Sequence, residues 1–375
     1  MIHVLTAVIL ISTALIIYPY LIYPVILRLL PRAPAPEFDA DVKTSVTLVF
    51  CAYNEARSIQ EKTANIERLK ARYPDLEVLV YDDGSSDNTL EALEARADLL
   101  EVVAGQGRQG KAHGMKILAA RASGDIIVFT DANVLLDDDG IARIRGWFAD
   151  PAIGGLCGRL IYLGEGNSAT ASVGGAYWRL EEKIKDLESA TGNVMGADGS
   201  IFAIRRGLYP QFPDTVLDDL TVSMATVFAG SRLIKCNDVI AYERLVASRK
   251  DEFARKVRIS ARAFHTHMFL RPQLRRMKAL DKFKYLSRKL VRWFGGLFLL
   301  INVTAVLVLG FLVSVWLGLL IALGLVLASA VGPRLGFKPL DLIFEVALAM
   351  IATLVGVMKA IRGQTFQTWT PAASR

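Results

Sequence analysis

The feature that most constrains this chain is a long stretch without charge near its C-terminal end. Residues 293–332 contain no Asp, Glu, Lys or Arg. A transmembrane helix needs about 20 apolar residues to cross ~30 Å of hydrocarbon. The stretch is twice that length and predicts a tight helical hairpin. A third apolar segment, residues 340–358, has basic residues on both sides, which leaves its orientation open.

A second uncharged run lies near the N-terminus, from Val4 to Tyr23. No Lys or Arg precedes it and it exceeds the apolar core of a cleaved signal peptide, so a retained anchor is favoured. Arg28 and Arg32 follow, and the positive-inside rule then predicts an outside N-terminus and a cytoplasmic domain. We expect three or four spans: an anchor at residues 1–30 and two or three helices in residues 293–360, before a tail at 361–375.

Positive charge is concentrated just before the uncharged stretch. Residues 244–292 hold 16 Lys or Arg and 3 Asp or Glu, a surplus of +13 that leaves −6 for the rest of a chain of net charge +7. A solvated basic face and a nucleic-acid surface are the alternatives, but a membrane segment follows directly. An interfacial helical region on anionic lipid is therefore favoured. The interleaved apolar residues are Phe264, Met268, Phe269, Leu270, Phe283, Tyr285 and Leu286.

The middle of the chain alternates short apolar runs with helical patterns. Four runs predict buried strands at residues 46–51, 78–81, 100–104 and 126–130. Three helices are predicted between them, at residues 55–69, 87–97 and 111–122. Strands separated by helices of this length predict an α/β domain with a doubly wound sheet, which we place within residues 40–243. Three cysteines far apart in the sequence argue against a disulfide framework or a Cys-rich zinc site.

Polar clusters follow three of the predicted strands, at residues 53–55, 82–85 and 131–133. Ligands of doubly wound sheets bind beyond the carboxyl ends of the strands. The three clusters are therefore predicted to converge on one crevice.

The segment from Gly105 to Gly110 matches two nucleotide-binding patterns. It fits G-x-G-x-x-G, and with Lys111 it fits G-x-x-x-x-G-K, but Ala112 replaces the Ser or Thr that binds Mg²⁺. The dinucleotide fingerprint normally follows the first strand of its sheet, whereas this loop follows the third. We interpret it as a glycine-rich loop in which Arg108 and Lys111 neutralise a diphosphate.

Several motifs occur in order along this domain. They are Cys-Ala-Tyr53-Asn54-Glu55, Asp82-Asp83-Gly-Ser-Ser-Asp87, Gly110-Lys111-Ala and Thr-Asp131-Ala-Asn133. Together they resemble glycosyltransferase family 2, the inverting GT-A enzymes that use nucleotide-diphosphate sugars. Gly196-Ala-Asp198-Gly199-Ser200 and Leu217-Asp218-Asp219 resemble the acceptor loop and the Glu-Asp motif of membrane-bound polysaccharide synthases. The resemblance covers roughly residues 45–265 and implies a GT-A sheet between membrane anchors.

The resemblance implies that Tyr53 and Asp83 contact the uracil of a UDP-sugar, with Asn54 and Glu55 shaping the same pocket. An aromatic ring can stack on a base, and a carboxylate can accept its ring N–H. An ordinary turn is the alternative for residues 82–85, since these residue types favour turns.

Asp131 and Asn133 stand where the family has its Asp-x-Asp metal motif. They predict a Mg²⁺ or Mn²⁺ site that the diphosphate helps to hold. Asn133 supplies a neutral oxygen in place of a carboxylate, which weakens the site by one charge. The acidic run at residues 137–139 is interpreted as a helix N-terminus.

Asp219 aligns with the catalytic Asp of the family, and Asp218 with the Glu before it. Adjacent carboxylates raise the affinity of one of them for a proton, and a base beside the acceptor hydroxyl typically contributes ~10²–10⁴ in rate. Alternatively, Asp218 and Asp219 begin a helix, and this placement is compatible with the role of a base. Asp198 and Gly199 are assigned to the acceptor.

Arg255-x-x-Arg258-Ile259 occupies the place of the Gln-x-x-Arg-Trp motif of processive synthases. By resemblance, both arginines are assigned to the donor, with Arg258 as a clamp on the diphosphate. Ile259 replaces the aromatic residue beside the acceptor sugar, so single addition to a lipid-linked acceptor is as plausible as chain growth. The histidines at 113, 265 and 267 stay unassigned.

The sequence predicts a multi-pass plasma-membrane protein with a cytoplasmic GT-A domain that transfers a hexosyl or N-acetylhexosaminyl group from a UDP-sugar. The predicted acceptor is a growing or lipid-linked glycan bound for the cell surface, with lipids and export or synthesis proteins as further partners. Two alternatives stay open. One is a nucleotide-sugar-binding scaffold for a partner synthase, and the other is a dinucleotide-dependent oxidoreductase.

Overall fold

The computed structural model describes residues 1–163, 169–244, 249–335 and 338–368. Its strands are β1 (Val46–Ala52), β2 (Glu77–Asp82), β3 (Glu101–Ala104), β4 (Ile126–Thr130), β5 (Val134–Leu136), β6 (Ile153–Leu163), β7 (Ile201–Arg205) and β8 (Arg232–Arg244). The helices up to the sheet's last strand are α1 (Ile2–Ile17), α2 (Tyr23–Leu29), α3 (Ala56–Arg72), α4 (Thr89–Glu94), α5 (Lys111–Arg121), α6 (Gly140–Trp147), α7 (Ala169–Ala190) and α8 (Asp218–Phe228). The later helices are α9 (Arg249–Arg276), α10 (Ala279–Tyr285), α11 (Val291–Trp293), α12 (Gly295–Val313), α13 (Val315–Leu335) and α14 (Lys338–Ile361). Short π-helical turns occupy Tyr18–Ile22 and Leu286–Leu290, and a 3₁₀ turn occupies Arg206–Leu208.

The strands form one mixed sheet in the order β3-β2-β1-β4-β7-β6-β8-β5. β1 pairs in parallel with β2 and β4, whereas β7 runs antiparallel beside β4. The four strands predicted from apolar runs are confirmed as β1 to β4. The helices predicted around them are confirmed as α3, α4 and α5, of which α4 is several residues shorter than expected.

Apolar side chains cover both faces of this sheet. One layer joins Phe129 of β4 to Met115 of α5 and Leu220 of α8. The other joins Phe50 of β1 to Ile66 of α3. Burial on both faces explains why these strands read as continuous apolar runs.

The carboxyl ends of β2, β1 and β4 are neighbours in the sheet order. The three polar clusters that follow these strands therefore lie at one edge, as the sequence predicts.

Within the described part of the chain, three helices are long and apolar enough to cross a membrane: Ile2–Leu29, Gly295–Val313 and Ile343–Ile361. The predicted hairpin is present as α12 and α13, which are separated by the extended backbone of Ser314. Its second arm has a shorter described apolar stretch, Val315–Leu327. Asn302 of α12 ties the helices together by donating to Ser12 Oγ and Thr13 Oγ1 of α1, at 2.9 and 2.8 Å.

The basic segment at residues 244–292 is helical, as expected, but several of its cations are not on a surface. Arg262, Lys284 and Arg288 are buried, and Lys284 Nζ donates to the carbonyls of Glu188 and Thr191, each at 3.0 Å. Cations are buried only when they are paired. These three residues therefore contact the α/β domain, and the contact of the block with anionic lipid stays a prediction for its exposed cations.

Candidate active site

The loops after β1 and β2 are joined by Asn54. This residue has a left-handed φ of 53°, and its side-chain oxygen accepts from the Ser86 N–H at 2.8 Å. Its own N–H donates to Ser85 Oγ at 3.0 Å. Next to it, the Glu55 N–H donates to Thr89 Oγ1 at 2.9 Å, and Glu55 is buried. The two predicted donor-binding segments therefore form one connected rim of the site.

The two aspartates of the Asp-Asp-Gly-Ser turn have different roles. Asp82 Oδ2 accepts from two N–H groups of its own turn, at 3.1 and 3.0 Å, as in an ordinary turn. Asp83 is fully buried and its Oδ1 accepts from the N–H groups of Gln109 and Gly110, at 2.8 and 2.9 Å. Because Asp83 occupies N–H groups that a dinucleotide pyrophosphate would need, the geometry argues against the dinucleotide fingerprint.

Tyr53 belongs to the loop after β1 that forms part of this rim, and Arg108 stacks on its ring. The guanidinium carbon of Arg108 lies 3.6 Å from the centroid of the Tyr53 ring, which is a cation–π contact. The glycine-rich loop and the first loop of the sheet therefore meet at the ring that is predicted to stack on the base.

Lys111, the first residue of α5, brings two acidic segments together. Its Nζ lies 2.5 Å from Asp131 Oδ1 and 4.0 Å from Asp218 Oδ2. Burial opposes its charge, but Asp131 and then Asp218 raise the pKa of Lys111 above its usual value. The lysine is therefore held as a cation between the end of β4 and the start of α8.

The predicted metal pair already has protein partners. Lys111 holds Asp131, and Asn133 Nδ2 donates to Glu243 Oε1 at 2.9 Å. In the ranges that the structure describes, no group of three or more His, Cys, Asp or Glu is placed to hold a metal. The remaining oxygens of Asp131 and Asn133 are the donor type that Mg²⁺ and Mn²⁺ prefer. The residues fit an ion that a diphosphate would hold jointly.

Asp218 and Asp219 open α8, as the helical alternative expects. Asp218 is buried, and Asp219 Oδ1 accepts from the Leu220 N–H at 2.6 Å. Burial and then the Asp218 carboxylate raise the pKa of Asp219 to about 6, although Lys111 opposes the shift. A carboxylate with a pKa near neutrality is suited to general-base chemistry.

The acceptor loop (Gly196–Ser200) lies against these carboxylates. A Cβ placed on Gly199 would be 3.4 Å from Asp219 Oδ2 and 3.0 Å from Lys111 Nζ. Asp198 points elsewhere, because its Oδ2 is ion-paired with Lys185 of α7. Burial opposes the charge of Asp198, but Lys185 lowers its pKa. Gly199 is thus the member of this loop that lies beside the predicted base.

Arg255 and Arg258 lie on α9, which contacts α8. One turn after Arg258, Arg262 donates to the Val216 carbonyl at 2.6 Å, and Thr266 Oγ1 accepts from the Leu217 N–H at 2.8 Å. The helix that carries both arginines is therefore fixed to the segment that leads into Asp218 and Asp219.

Two features beside the site had no signal in the motifs. A Cβ on Gly110 would collide with the Gln367 carbonyl oxygen, so the chain after α14 lies against the start of α5. The Nζ of Lys289 lies 3.8 Å from the Cβ position of Gly196. Both come from sequence-distant segments that only the folded chain brings here.

The mixed sheet, with loops that converge beyond β2, β1 and β4, is the fold of the GT-A glycosyltransferases. A mannosyltransferase from Pyrobaculum calidifontis, solved in complex with GDP-Man and Mn²⁺, superposes with a TM-score of 0.75 at 24% identity. The match covers 96% of this chain and 99% of that one.

Residues 47–212 match the family model of Glycosyl transferase family 2. This segment therefore resembles glycosyltransferase family 2 over the residues that carry the motifs, as they predict.

Curated relatives match over shorter lengths. The poly-beta-1,6-N-acetyl-D-glucosamine synthase of Staphylococcus aureus (strain COL) is 30% identical over 127 residues, 33% of this chain and 30% of that protein. The O-antigen chain rhamnosyltransferase RfbN of Salmonella typhimurium is 23% identical over 221 residues, 56% of this chain and 69% of that protein. The chain thus spans less than a third of the length of the synthases that it matches.

Proposed function

We propose that this protein is a membrane-bound inverting glycosyltransferase that moves a sugar from a UDP-sugar to a growing or lipid-linked glycan. The catalytic domain would face the cytoplasm from the plasma membrane. The observation that carries the proposal is the juxtaposition of Asp219, Lys111 and Gly199, with the Asp219 carboxylate 3.4 Å from the Cβ position of Gly199.

Asp219 is the proposed general base. Its raised pKa of about 6 leaves it ionised at neutral pH and still basic enough to take a proton from an acceptor hydroxyl. As the hydroxyl oxygen bonds to the anomeric carbon, the bond from that carbon to the diphosphate breaks and the nucleotide leaves with its electron pair. Attack on the face opposite the leaving group inverts the configuration.

The donor would bind along the rim formed by the loops after β1 and β2. Tyr53 would stack on the uracil, Asp83 would shape the pocket by holding the Gly105–Gly110 loop beside it, and Lys111 with Arg108 would neutralise the diphosphate. Lys111 supports this role because it is held as a cation next to Asp131.

Asp131 and Asn133 are the proposed ligands of a Mg²⁺ or Mn²⁺ ion. When bound, such an ion neutralises charge on a departing diphosphate. The proposal relies on the oxygen donors of these two residues and on their positions one and three residues past the end of β4.

The test compares wild type with Asp219→Asn in detergent solution with Mn²⁺. We expect the variant to lose transfer and nucleotide release while its affinity for UDP stays near wild type, because the base lies on the acceptor side. Asp98→Asn, an exposed carboxylate near β3, is the matched control. Loss of UDP binding in Asp219→Asn would show that the base assignment is wrong.

A further inference from the structure

Lys289 is a cation that the catalytic scheme does not use. It lies in the π-helical turn Leu286–Leu290, a few residues before the membrane-length helix α12 begins at Gly295. Single π-helical turns occur often at functional sites. This turn is held in place on the membrane side, because Ser287 Oγ lies 2.8 Å from Tyr18 Oη of the N-terminal helix.

The cations next to Lys289 in the chain form ion pairs or hydrogen bonds within the protein. Arg288 forms ion pairs with Glu188 and Glu181, at 2.5 and 3.1 Å, and Lys284 donates to backbone carbonyls. Lys289 differs, because among the described residues its ammonium makes no hydrogen bond and no ion pair within 4 Å. A partly buried cation without a hydrogen-bonding partner is costly. Glu181, Glu188 and Asp219 favour its charge from a distance, and an anionic ligand in contact with it would offset the remaining cost.

The acceptor loop connects Lys289 to the base. Lys289 Nζ lies 3.8 Å from the Cβ position of Gly196, and Asp219 Oδ2 lies 3.4 Å from that of Gly199. Three residue steps span at most about 11 Å of chain. The Lys289 ammonium and the Asp219 carboxylate thus lie at the two ends of this short loop, and they act on each other across it, because Lys289 lowers the pKa of Asp219.

We propose that Lys289 binds the phosphate group of a phosphorylated acceptor whose sugar hydroxyl faces Asp219. The proposal rests on the glycosyltransferase function argued above. Lys289 would hold the phosphate ester at one end of the acceptor loop, and the loop would present the hydroxyl at its other end.

The electrostatics of the turn favour an anion of this kind. Burial and then the neighbouring Arg288 lower the pKa of Lys289 to about 8. The ammonium form still prevails at pH 7, and a phosphate within hydrogen-bond distance would stabilise it. The position next to α12 puts this phosphate near the membrane surface, where a lipid phosphate ester would lie.

The test measures binding without turnover, in detergent solution, with farnesyl phosphate, farnesol and glucose 1-phosphate as probes. Charge-assisted hydrogen bonds are among the stronger polar contacts. We expect Lys289→Gln to weaken binding of the phosphate probes by about tenfold or more, and Lys289→Arg to retain most of it. Lys282→Gln, which removes an exposed lysine of α10, is the matched control and should bind as wild type does.

Comparison of the probes distinguishes the two possible sources of the phosphate group. Tighter binding of farnesyl phosphate than of glucose 1-phosphate indicates a lipid-linked acceptor, and the reverse order indicates a soluble sugar phosphate. Unchanged phosphate affinity in Lys289→Gln, or farnesol that binds as tightly as farnesyl phosphate, would overturn the proposal. A shift in the pH profile of Lys289→Gln with unchanged phosphate affinity would also overturn it, since the lysine would then only position Asp219.

Measuring UDP binding by the same preparations distinguishes a failure of the phosphate-site proposal from a failure of the proposed glycosyltransferase function. Phosphate binding that depends on Lys289 in a protein that does not bind UDP would contradict the proposed function and leave the phosphate site standing.

Discussion

At the scale of single residues, the chemistry depends on how two adjacent carboxylates share a small buried space. Asp218 is buried and lies 4.0 Å from Lys111, whereas Asp219 faces the acceptor loop. Their mutual repulsion contributes to the raised pKa of Asp219. Activity should therefore report on both residues through its dependence on pH.

A base acts only as a carboxylate, so nucleotide release by wild type should fall as the pH drops below about 6. Asp218→Asn removes the repulsion, which lowers the pKa of Asp219 and should move this acidic limb to lower pH. The measurement is log kcat against pH, with Asp98→Asn as the control. A limb that stays in place in Asp218→Asn would contradict the proposed pairing of the carboxylates.

The metal prediction belongs to Asp131 and Asn133. We expect excess EDTA to abolish transfer and added Mn²⁺ to restore it, because without the ion the diphosphate would lie beside the Asp131 carboxylate with only Arg108 and Lys111 to offset its negative charge. Activity assays with and without chelator give the answer. Full activity in excess EDTA would contradict the metal role of these residues.

The motifs indicated which residues lie at the site, but they could not assign a separate role to each residue. Asp82 and Asp83 are adjacent and identical in type, yet one closes its turn and the other bonds to the Gly105–Gly110 loop. Lys289 has no motif of its own. Its place beside Gly196 depends on how a segment about 90 residues later in the chain packs back, which local sequence does not encode.

At the scale of elements, a glycine sets how closely α14 approaches α9. A Cβ on Gly356 would collide with the Val257 carbonyl oxygen and lie 2.8 Å from Ser260 Cβ. The helix that carries Arg255 and Arg258 is thus packed backbone to backbone against a membrane-length helix.

Gly356→Val should destabilise the protein by about 1–3 kcal/mol, the usual cost of overpacking, because it forces α14 away from α9. Thermal unfolding in detergent measures the loss. Gly324→Val is the matched control, since a Cβ on Gly324 meets nothing within 4 Å. Equal melting temperatures for the two variants would show that the helices do not pack in this way.

The first half of the sheet was predictable because its strands are apolar on both faces and its helices have clear periods. The second half was not, because β7 runs antiparallel beside β4 and β8 pairs with both β6 and β5. Such pairings join residues far apart in sequence. The burial of Arg288 was not predictable for the same reason, since its acidic partners Glu181 and Glu188 lie on α7, some 100 residues earlier in the chain.

At the scale of the whole molecule, one buried carboxylate joins the N-terminal helix α2, the α/β domain and the segment before α12. Glu188 of α7 accepts from Tyr23 Oη at 2.6 Å, from the Met195 N–H at 2.9 Å and from Arg288 at 2.5 Å. Met195 directly precedes the acceptor loop. Helix α2 is therefore part of the folded unit that positions the loop.

Glu188→Gln should cost up to about 3–5 kcal/mol of stability, because it removes the nearer of the two carboxylates that pair with the buried Arg288 and leaves Glu181 alone to balance Arg288 and Arg292. The melting temperature in detergent should drop well below that of wild type. Glu101→Gln, which breaks an exposed pair with Arg121, is the control and should cost about 1 kcal/mol or less. A Glu188→Gln protein as stable as Glu101→Gln would contradict the role of this carboxylate.

The most direct test of the proposed function is nucleotide release by the detergent-purified chain across a panel of UDP-, GDP- and dTDP-sugars with Mn²⁺. We predict release above background from a UDP-sugar, and loss of that release in Asp219→Asn with UDP binding retained. If no sugar of the panel gives nucleotide release but the protein binds UDP, the alternative of a nucleotide-sugar-binding scaffold is favoured. Absence of both nucleotide release and nucleotide binding, or release that Asp219→Asn leaves unchanged, would contradict the assignment of this site as the centre of sugar transfer.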